Sequence, residues 1–454
     1  MSFANPIVDA GIAGLTDLYR SRAITPLEAT DAYLSRIERL NPQLGAFVTV
    51  DAAGARAAAE ASAARWAAGT PLSPLDGTPV AVKANIAVAG LPWHAGVGAY
   101  RDRLAEEDAA VVANLKAAGA VILGILNMHE AALGATTDNA AFGRCHNPHR
   151  HGFTAGGSSG GSGAAVAAGL CAGALGTDTM GSVRIPSGYC GVYAHKPTQG
   201  LIDTDQVVAL SWTLDHVGVH ARSIEDCAAL LDWASGGLSG DAEDEAFLVA
   251  PRSALGQAPL AVLDFAGLVE VEPSVQAAFD ATVERARAAG LPMERLRLDY
   301  DFGAMRRLGL LISEAEGFVE HQAMLAADPE GFTPGLRKLL TWGAEQPAWK
   351  LAKAYRDLGE VAARVSEALS GYEAILTPTT PQAAFAFETP APANQADFTA
   401  LADFLGLPAT AFPVGLSPDG LPLSAQVMAW DDDVALGLAA LLADPVAAPP
   451  AFRG

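Results

Sequence analysis

The stretch that most restricts the fold is TAGGSSGGSGAAVAAGL, residues 154–170, where three serines stand among six glycines and a helix-forming run, GAAVAAGLCAGALG, follows at once. Gly and Ser alone read as a flexible linker. Glycines that lead straight into a helix instead place free backbone N–H groups at its N-terminus. A phosphate-binding loop needs Lys and then Ser or Thr after its last glycine, and here Gly163 is followed by Ala164 and Ala165. Gly156-Gly157-Ser158-Ser159-Gly160 also fits G-x-S-x-G, the turn that exposes a nucleophilic serine on a strand-to-helix corner. That corner needs a buried strand before it, which NPHRHGFTA (147–155) does not resemble, and a histidine after it, for which His195, His216, His220 and His321 are available.

Of the 454 residues half are apolar, enough to bury a large core. A net charge of -22 argues against a protein that grips nucleic acid through its phosphates. Four cysteines without CxxC spacing make no disulfide framework and suit a reducing cytoplasm. The N-terminal MSFANPIVDAGIAGLTDLYR lacks the basic flank and apolar run of a signal peptide, and no later segment reads as a membrane span.

Along the chain, short apolar runs at 79–82 and 120–123 alternate with Ala-rich helical runs, EDAAVVANLKAAG and SIEDCAALLDWAS, the pattern of an α/β sheet. Residues 13–65 carry helical spacing, with Thr25 as N-cap and Pro26 at the first helical position. Residues 240–372 are mainly helical, with one strand expected at 259–264, and the sheet resumes with EAILTPTTP at 373. Residues 407–430 read as two strands joined by a Pro-Asp-Gly turn. The expectation is one domain, 1–454: a lead-in at 13–65, a core at 70–235, a helical excursion at 240–372 and a sheet completion at 373–454.

A serine nucleophile needs a base, and where histidine is unconvincing a lysine made neutral by its surroundings can serve. Lys83 ends the strand-like GTPVAV, and no other basic residue lies between Arg65 and Arg101. On composition alone it is a surface lysine at a strand end. A second serine, Ser182, lies in GTDTMGSVRIPSGYCG (176–191), flanked by Asp178 and Arg184, and by itself that segment reads as an ordinary turn between strand and helix.

Together these three segments resemble the amidase signature family. NMHEAALGATTDNAAFGRCHNP, WTLDHVGVHARSIEDCAALLD, EAILTPTTP and GLPLSAQV follow in family order, and only 240–372 offers nothing to match. The resemblance implies a large α/β/α sandwich with a mixed central sheet. It makes Ser182 the nucleophile and Ser158, 24 residues earlier, a proton relay from Lys83, with a cis Gly157–Ser158 bond. Backbone N–H groups of Thr179, Met180, Gly181 and Ser182 form the oxyanion hole, and Asp178 and Arg184 brace that turn. As a base, Lys83 must lose about three pKa units, roughly 4 kcal/mol.

The implied reaction is hydrolysis of a small-molecule, non-peptide amide, with Trp93, His129, Ala132, Gly134 and Met180 near the substrate. The alternative is the glutamine-hydrolysing A subunit of a tRNA-dependent amidotransferase. Such subunits commonly carry Gln where this chain has Ile185, which favours the free-standing hydrolase. Two further departures are Ala84, where Asp is usual after the lysine, and Met180, where Gly is common. No metal or cofactor is expected: CHNPHRHG (Cys145, His146, His149, His151) is too compressed for a zinc site, and HEAAL at 129–133 lacks a second histidine. The expected partner set is a small-molecule amide and a second copy in a homodimer, without nucleic acid or membrane.

Overall fold

The computed structural model describes residues 5–237 and 249–449. Within them eleven strands build one mixed sheet. In chain order they are β1 (Phe47–Val50), β2 (Pro79–Lys83), β3 (Val121–Leu126), β4 (Gly173–Asp178), β5 (Tyr193–Lys196), β6 (His216–Ala221), β7 (Leu260–Leu263), β8 (Met293–Leu296), β9 (Ala374–Pro378), β10 (Ala409–Leu416) and β11 (Pro422–Ala429). Across the sheet the order is β1-β3-β2-β4-β6-β5-β10-β11-β9-β7-β8. β3, β2 and β4 run parallel, as do β9, β7 and β8, and antiparallel pairs join these two blocks. Every residue of β2, β3, β4 and β6 is buried, because helices cover both faces of an α/β sandwich; the runs are mostly apolar or small, with Lys83, Asp178, His216 and His220 as the large polar exceptions.

The Pro26–Leu44 helix begins with the expected cap, Thr25 and Glu28 closing a reciprocal capping box ahead of Pro26. The glycine-rich segment becomes the Gly160–Ala167 helix, buried throughout, with no side chain larger than valine. That smallness is required, since a Cβ on Gly161 would sit 2.4 Å from the Asn127 carbonyl oxygen. The 407–430 hairpin is present, its turn closed by Gly420 N–H on Ser417 O at 2.9 Å.

Two segments differ from expectation. The lead-in is interrupted by β1, an edge strand paired with β3, because Asn41 bonds both the N–H and the carbonyl of Phe47 and turns the chain out of the helix. The excursion adds two strands rather than one. β7 falls where a strand was expected, whereas β8 is four residues of mixed polarity at the sheet edge, too short to show a period. The start of that excursion, at 240–248, and residues 1–4 and 450–454 lie outside the described residues.

Three excursion helices, Phe302–Ala327, Pro334–Ala344 and Ala348–Leu369, pack together. Glu316 ties the first to the body, accepting from Ser211 Oγ and Thr213 Oγ1 at 2.5 Å each. Among the described residues no helix is long and apolar enough to cross a membrane. All four cysteines are buried and unpaired.

Candidate active site

Lys83 occupies the last position of β2, where the strand end meets the glycine-rich loop. Its Nζ lies 2.7 Å from Ser158 Oγ and 2.7 Å from Thr177 Oγ1 of the neighbouring strand β4. Asn85 Nδ2 donates to the same threonine oxygen at 3.1 Å. Lys83 is wholly buried, and loss of solvent pulls its pKa down to about 7 against the opposing pull of Asp215 and Asp178. The ammonium form is the one that burial penalises.

The Gly157–Ser158 peptide bond is cis. His129 N–H donates to Ser158 O at 3.0 Å, and Thr137 Oγ1 donates to Gly156 O at 2.7 Å. Gly156 has φ +84°, and a Cβ there would meet Pro186 Cα at 2.7 Å, so this position admits only glycine on both conformational and steric grounds. Ser159 N–H donates to Ser182 O at 3.1 Å, joining the two serine segments through their backbones. The Ser182 hydroxyl lines the adjoining cavity and makes no hydrogen bond to a described residue, so the side chains of Ser158 and Ser182 are not joined to each other.

The turn bearing Ser182 is held from beneath by a buried ionic cluster. All five Arg184 N–H groups are used: on both Asp178 oxygens at 3.0 Å, on Asp403 at 2.7 Å, on Thr399 O at 2.8 Å and on Gln426 Oε1 at 3.0 Å. Burial alone would raise the Asp178 pKa, but Arg184, with Lys196 and His216, holds it below the ordinary carboxylate range. Burial and the neighbouring Asp178 push Asp403 well above that range, so the two carboxyls are shifted in opposite directions. Asp178 also accepts from the Gly181 and Val183 N–H groups. Gly181 is therefore a correction to the four-donor expectation, because its N–H is spent on Asp178. Those of Thr179, Met180 and Ser182 bond no other described residue.

A cavity of about 190 Å³ opens at Ser182. Ala132, Gly134 and Met180 line it as expected, and Met180 Sδ occupies the space that a Cβ on Gly309 would fill. Ala131 and Ala132 hold consecutive left-handed conformations, φ +51° and +57°, a strained wall beside the Ser182 segment. Trp93 and His129 do not line it. The Trp93 indole donates to Asn85 O at 2.9 Å, and Arg103 lies 4.2 Å from its ring centroid. His129 lies behind the wall against Gly134, where a Cβ would come 2.2 Å from its Nε2, and burial lowers its pKa to about 4. Sequence proximity to the lysine and to the wall placed both residues one layer too close.

Residues absent from the sequence reading complete the site. Thr177 and Asn85 fix Lys83. Asp215 accepts from Thr179 Oγ1 at 2.5 Å and from the Leu210 and Ser211 N–H groups. Leu310, Arg306 and Ser313, from the excursion, line the cavity with Ile185, Gln395 and Ala396. Asp215 lies within a quoted family stretch, but no spacing rule aims it at Thr179. The His and Cys run is structural in its contacts: His146 stacks on His151 with 3.9 Å between centroids, and His149 Nε2 reaches Cys190 O at 3.1 Å.

A family model described as Amidase matches residues 28–434. The chain is 35% identical over 476 residues to the A subunit of the glutamyl-tRNA(Gln) amidotransferase of Anaeromyxobacter sp. (strain K), covering 95% of each. It is 34% identical over 494 residues to the corresponding A subunit of Salinispora arenicola (strain CNS-205), covering 98% of each. Among solved structures, one described as a vestigial protein complex revealing the origins of an s-triazine catabolic enzyme superposes with a TM-score of 0.86 at 31% identity, covering 94% of this chain and 97% of that one. A 6-aminohexanoate cyclic dimer hydrolase complexed with substrate does so with a TM-score of 0.83 at 26% identity, covering 95% and 96%. These relatives correct the expected partner set of a small-molecule amide and a second copy without nucleic acid: such an A subunit works beside other chains, in an enzyme named for a tRNA. They also speak for the amidotransferase alternative rather than for the free-standing hydrolase that Ile185 favours. The chain belongs to the amidase family, whose enzymes cleave amide C–N bonds.

Proposed function

We propose that this chain hydrolyses a carboxamide through an acyl-enzyme on Ser182, with Ser158 and Lys83 as its proton relay. The observation that carries the reading is a wholly buried Lys83, its pKa lowered to about 7 by that burial, 2.7 Å from Ser158 Oγ in a segment whose Ser159 N–H bonds Ser182 O. Ser182 Oγ attacks the carbonyl as its proton passes to Ser158, whose own proton passes to Lys83 Nζ. The N–H groups of Met180 and Ser182 receive the developing oxyanion. Lys83 returns the proton through Ser158 to the leaving nitrogen, and ammonia or an amine departs. Water then attacks the Ser182 ester by the same route, releasing the acid and restoring the serine.

Labelling with a fluorophosphonate probe is the direct test. Mass spectrometry is expected to place the adduct on Ser182, and Ser182→Ala to lose both adduct and turnover. An adduct elsewhere, or full turnover in the variant, would overturn the assignment.

The amidotransferase relatives support glutamine as the amide and a multi-subunit setting for the reaction. Arg306, a cation that lines the cavity, supplies a positive charge for the α-carboxylate of such a substrate. A second reading, an apolar acyl group, is favoured by the wall of Leu133, Met180, Ile185, Leu310 and Ala396. The two separate in one assay of ammonia release, from glutamine and from aliphatic and aryl amides, with and without the other subunits of a glutamyl-tRNA(Gln) amidotransferase. Glutamine turnover that rises with those subunits supports the first. In the second, Met180→Ala shifts kcat/KM toward bulkier acyl groups by about tenfold.

A further inference from the structure

The Phe302–Ala327 helix borders two cavities. Besides the one at Ser182, a larger cavity of about 1320 Å³ lies between this helix and the Pro334–Ala344 and Ala348–Leu369 helices, and Leu310 lines both. Its apolar lining comes from Met305, Leu308, Leu311, Trp342, Ala354 and Val361. Glu314 also lines it, is only 5% exposed, and makes no hydrogen bond or ion pair with a described residue. Around the same cavity Lys353 is paired with Asp357, Arg337 with Glu330 and Arg364 with Asp299, while Arg307, Lys338 and Glu345 line it from exposed positions open to water. Glu314 is the buried charge left without an answer.

An unpartnered carboxyl is costly in an apolar wall, and the cost disappears when a cation meets it there. We propose that this cavity is a ligand site for an organic ammonium ion, its apolar body against Trp342, Leu308 and Met305 and its charged nitrogen on the Glu314 carboxylate. A neutral ligand of the same shape fills the space and leaves Glu314 unsatisfied, and an anionic ligand is repelled by it. The site is separate from Ser182 and does not depend on which amide is cleaved there. Burial lifts the Glu314 pKa to about 7, so the carboxylate form dominates in mildly alkaline buffer.

Titration calorimetry at pH 8.5 on the full chain tests this with three probes of one length: hexylamine, 1-hexanol and hexanoate. Hexylammonium is expected to bind about tenfold or more tightly than hexanol, and hexanoate more weakly than either. Glu314→Gln is expected to bring hexylammonium down to the level of hexanol while hexanol binding holds. Ala354→Trp, which fills the cavity from the opposite helix, is expected to abolish both. Equal binding of amine and alcohol by the unaltered chain overturns the proposal, as does an amine preference that survives in Glu314→Gln or undiminished amine binding in Ala354→Trp. The unaltered chain and Ala354→Trp decide the matter even where Glu314→Gln does not fold.

Discussion

Lys83→Met is expected to lower kcat/KM by about ten-thousandfold while leaving the protein folded and, at neutral pH, more stable. Methionine matches the lysine stem in length and carries no charge that burial can penalise. The lysine itself costs stability: its pKa falls from an ordinary 10.5 in the unfolded chain to about 7 in the folded one. Between those values the unfolded chain binds the extra proton, so stability rises with pH across this window. From pH 7 to pH 9 Lys83 contributes a rise of about 2 kcal/mol, which the methionine variant lacks. Denaturant unfolding of both proteins at the two pH values measures the difference. The kcat/KM profile of the unaltered enzyme should fall on its acid side with a midpoint near 7 as Lys83 takes up its proton. Activity above one-hundredth of normal in Lys83→Met, or an unchanged pH slope of stability, contradicts the assignment.

Arg184→Met is expected to destabilise the fold by about 3–5 kcal/mol, because it removes the cation and leaves buried acid behind. Asp178 keeps two backbone donors, from Gly181 and Val183, but nothing in the described cluster replaces the five bonds that Arg184 makes. Adding Asp178→Asn to the variant is expected to recover part of the loss by removing the charge left unpaired. Urea unfolding of the single and double variants reads this directly. A single variant as stable as the parent would mean that the cluster carries little net stability.

How far the site could be read from the chain depended on how local its signals are. Taken singly, Lys83 reads as a surface lysine and Ser182 as part of an ordinary turn, and only the three segments together, with Ser158 in its glycine-rich run, resemble a family that names all three. Thr177 stands one residue before Asp178 in a quoted segment, yet its bond to Lys83 exists only because β2 and β4 pair in parallel with Val82 opposite Leu175. No periodicity announces such a register. Arg306, Leu310 and Ser313 lie on a helix whose apolar spacing speaks only of burial, and which side of it meets the cavity is decided by how distant elements pack. Trp93 shows the opposite failure: near the lysine in sequence, it is turned aside by its bond to Asn85 O and by Arg103. The sheet shows the same division: the apolar runs of β2, β3, β7, β9, β10 and β11 were legible, whereas β4, β5 and β6, buried but carrying Asp178, Lys196 and three histidines, and the short edge strands β1 and β8 were not.

The brace under the Ser182 turn also has a place in time. Lys83, Ser158 and Ser182 have all been synthesised by the middle of the chain, but Thr399, Asp403 and Gln426 stand 215, 219 and 242 residues beyond Arg184. A ribosome-bound chain therefore holds the three side chains of the proposed relay and the local Asp178–Arg184 pair before it holds the outer acceptors of Arg184. The brace is completed only with the last strands, and a fragment ending before residue 399 keeps the Asp178–Arg184 pair but lacks the Thr399, Asp403 and Gln426 acceptors.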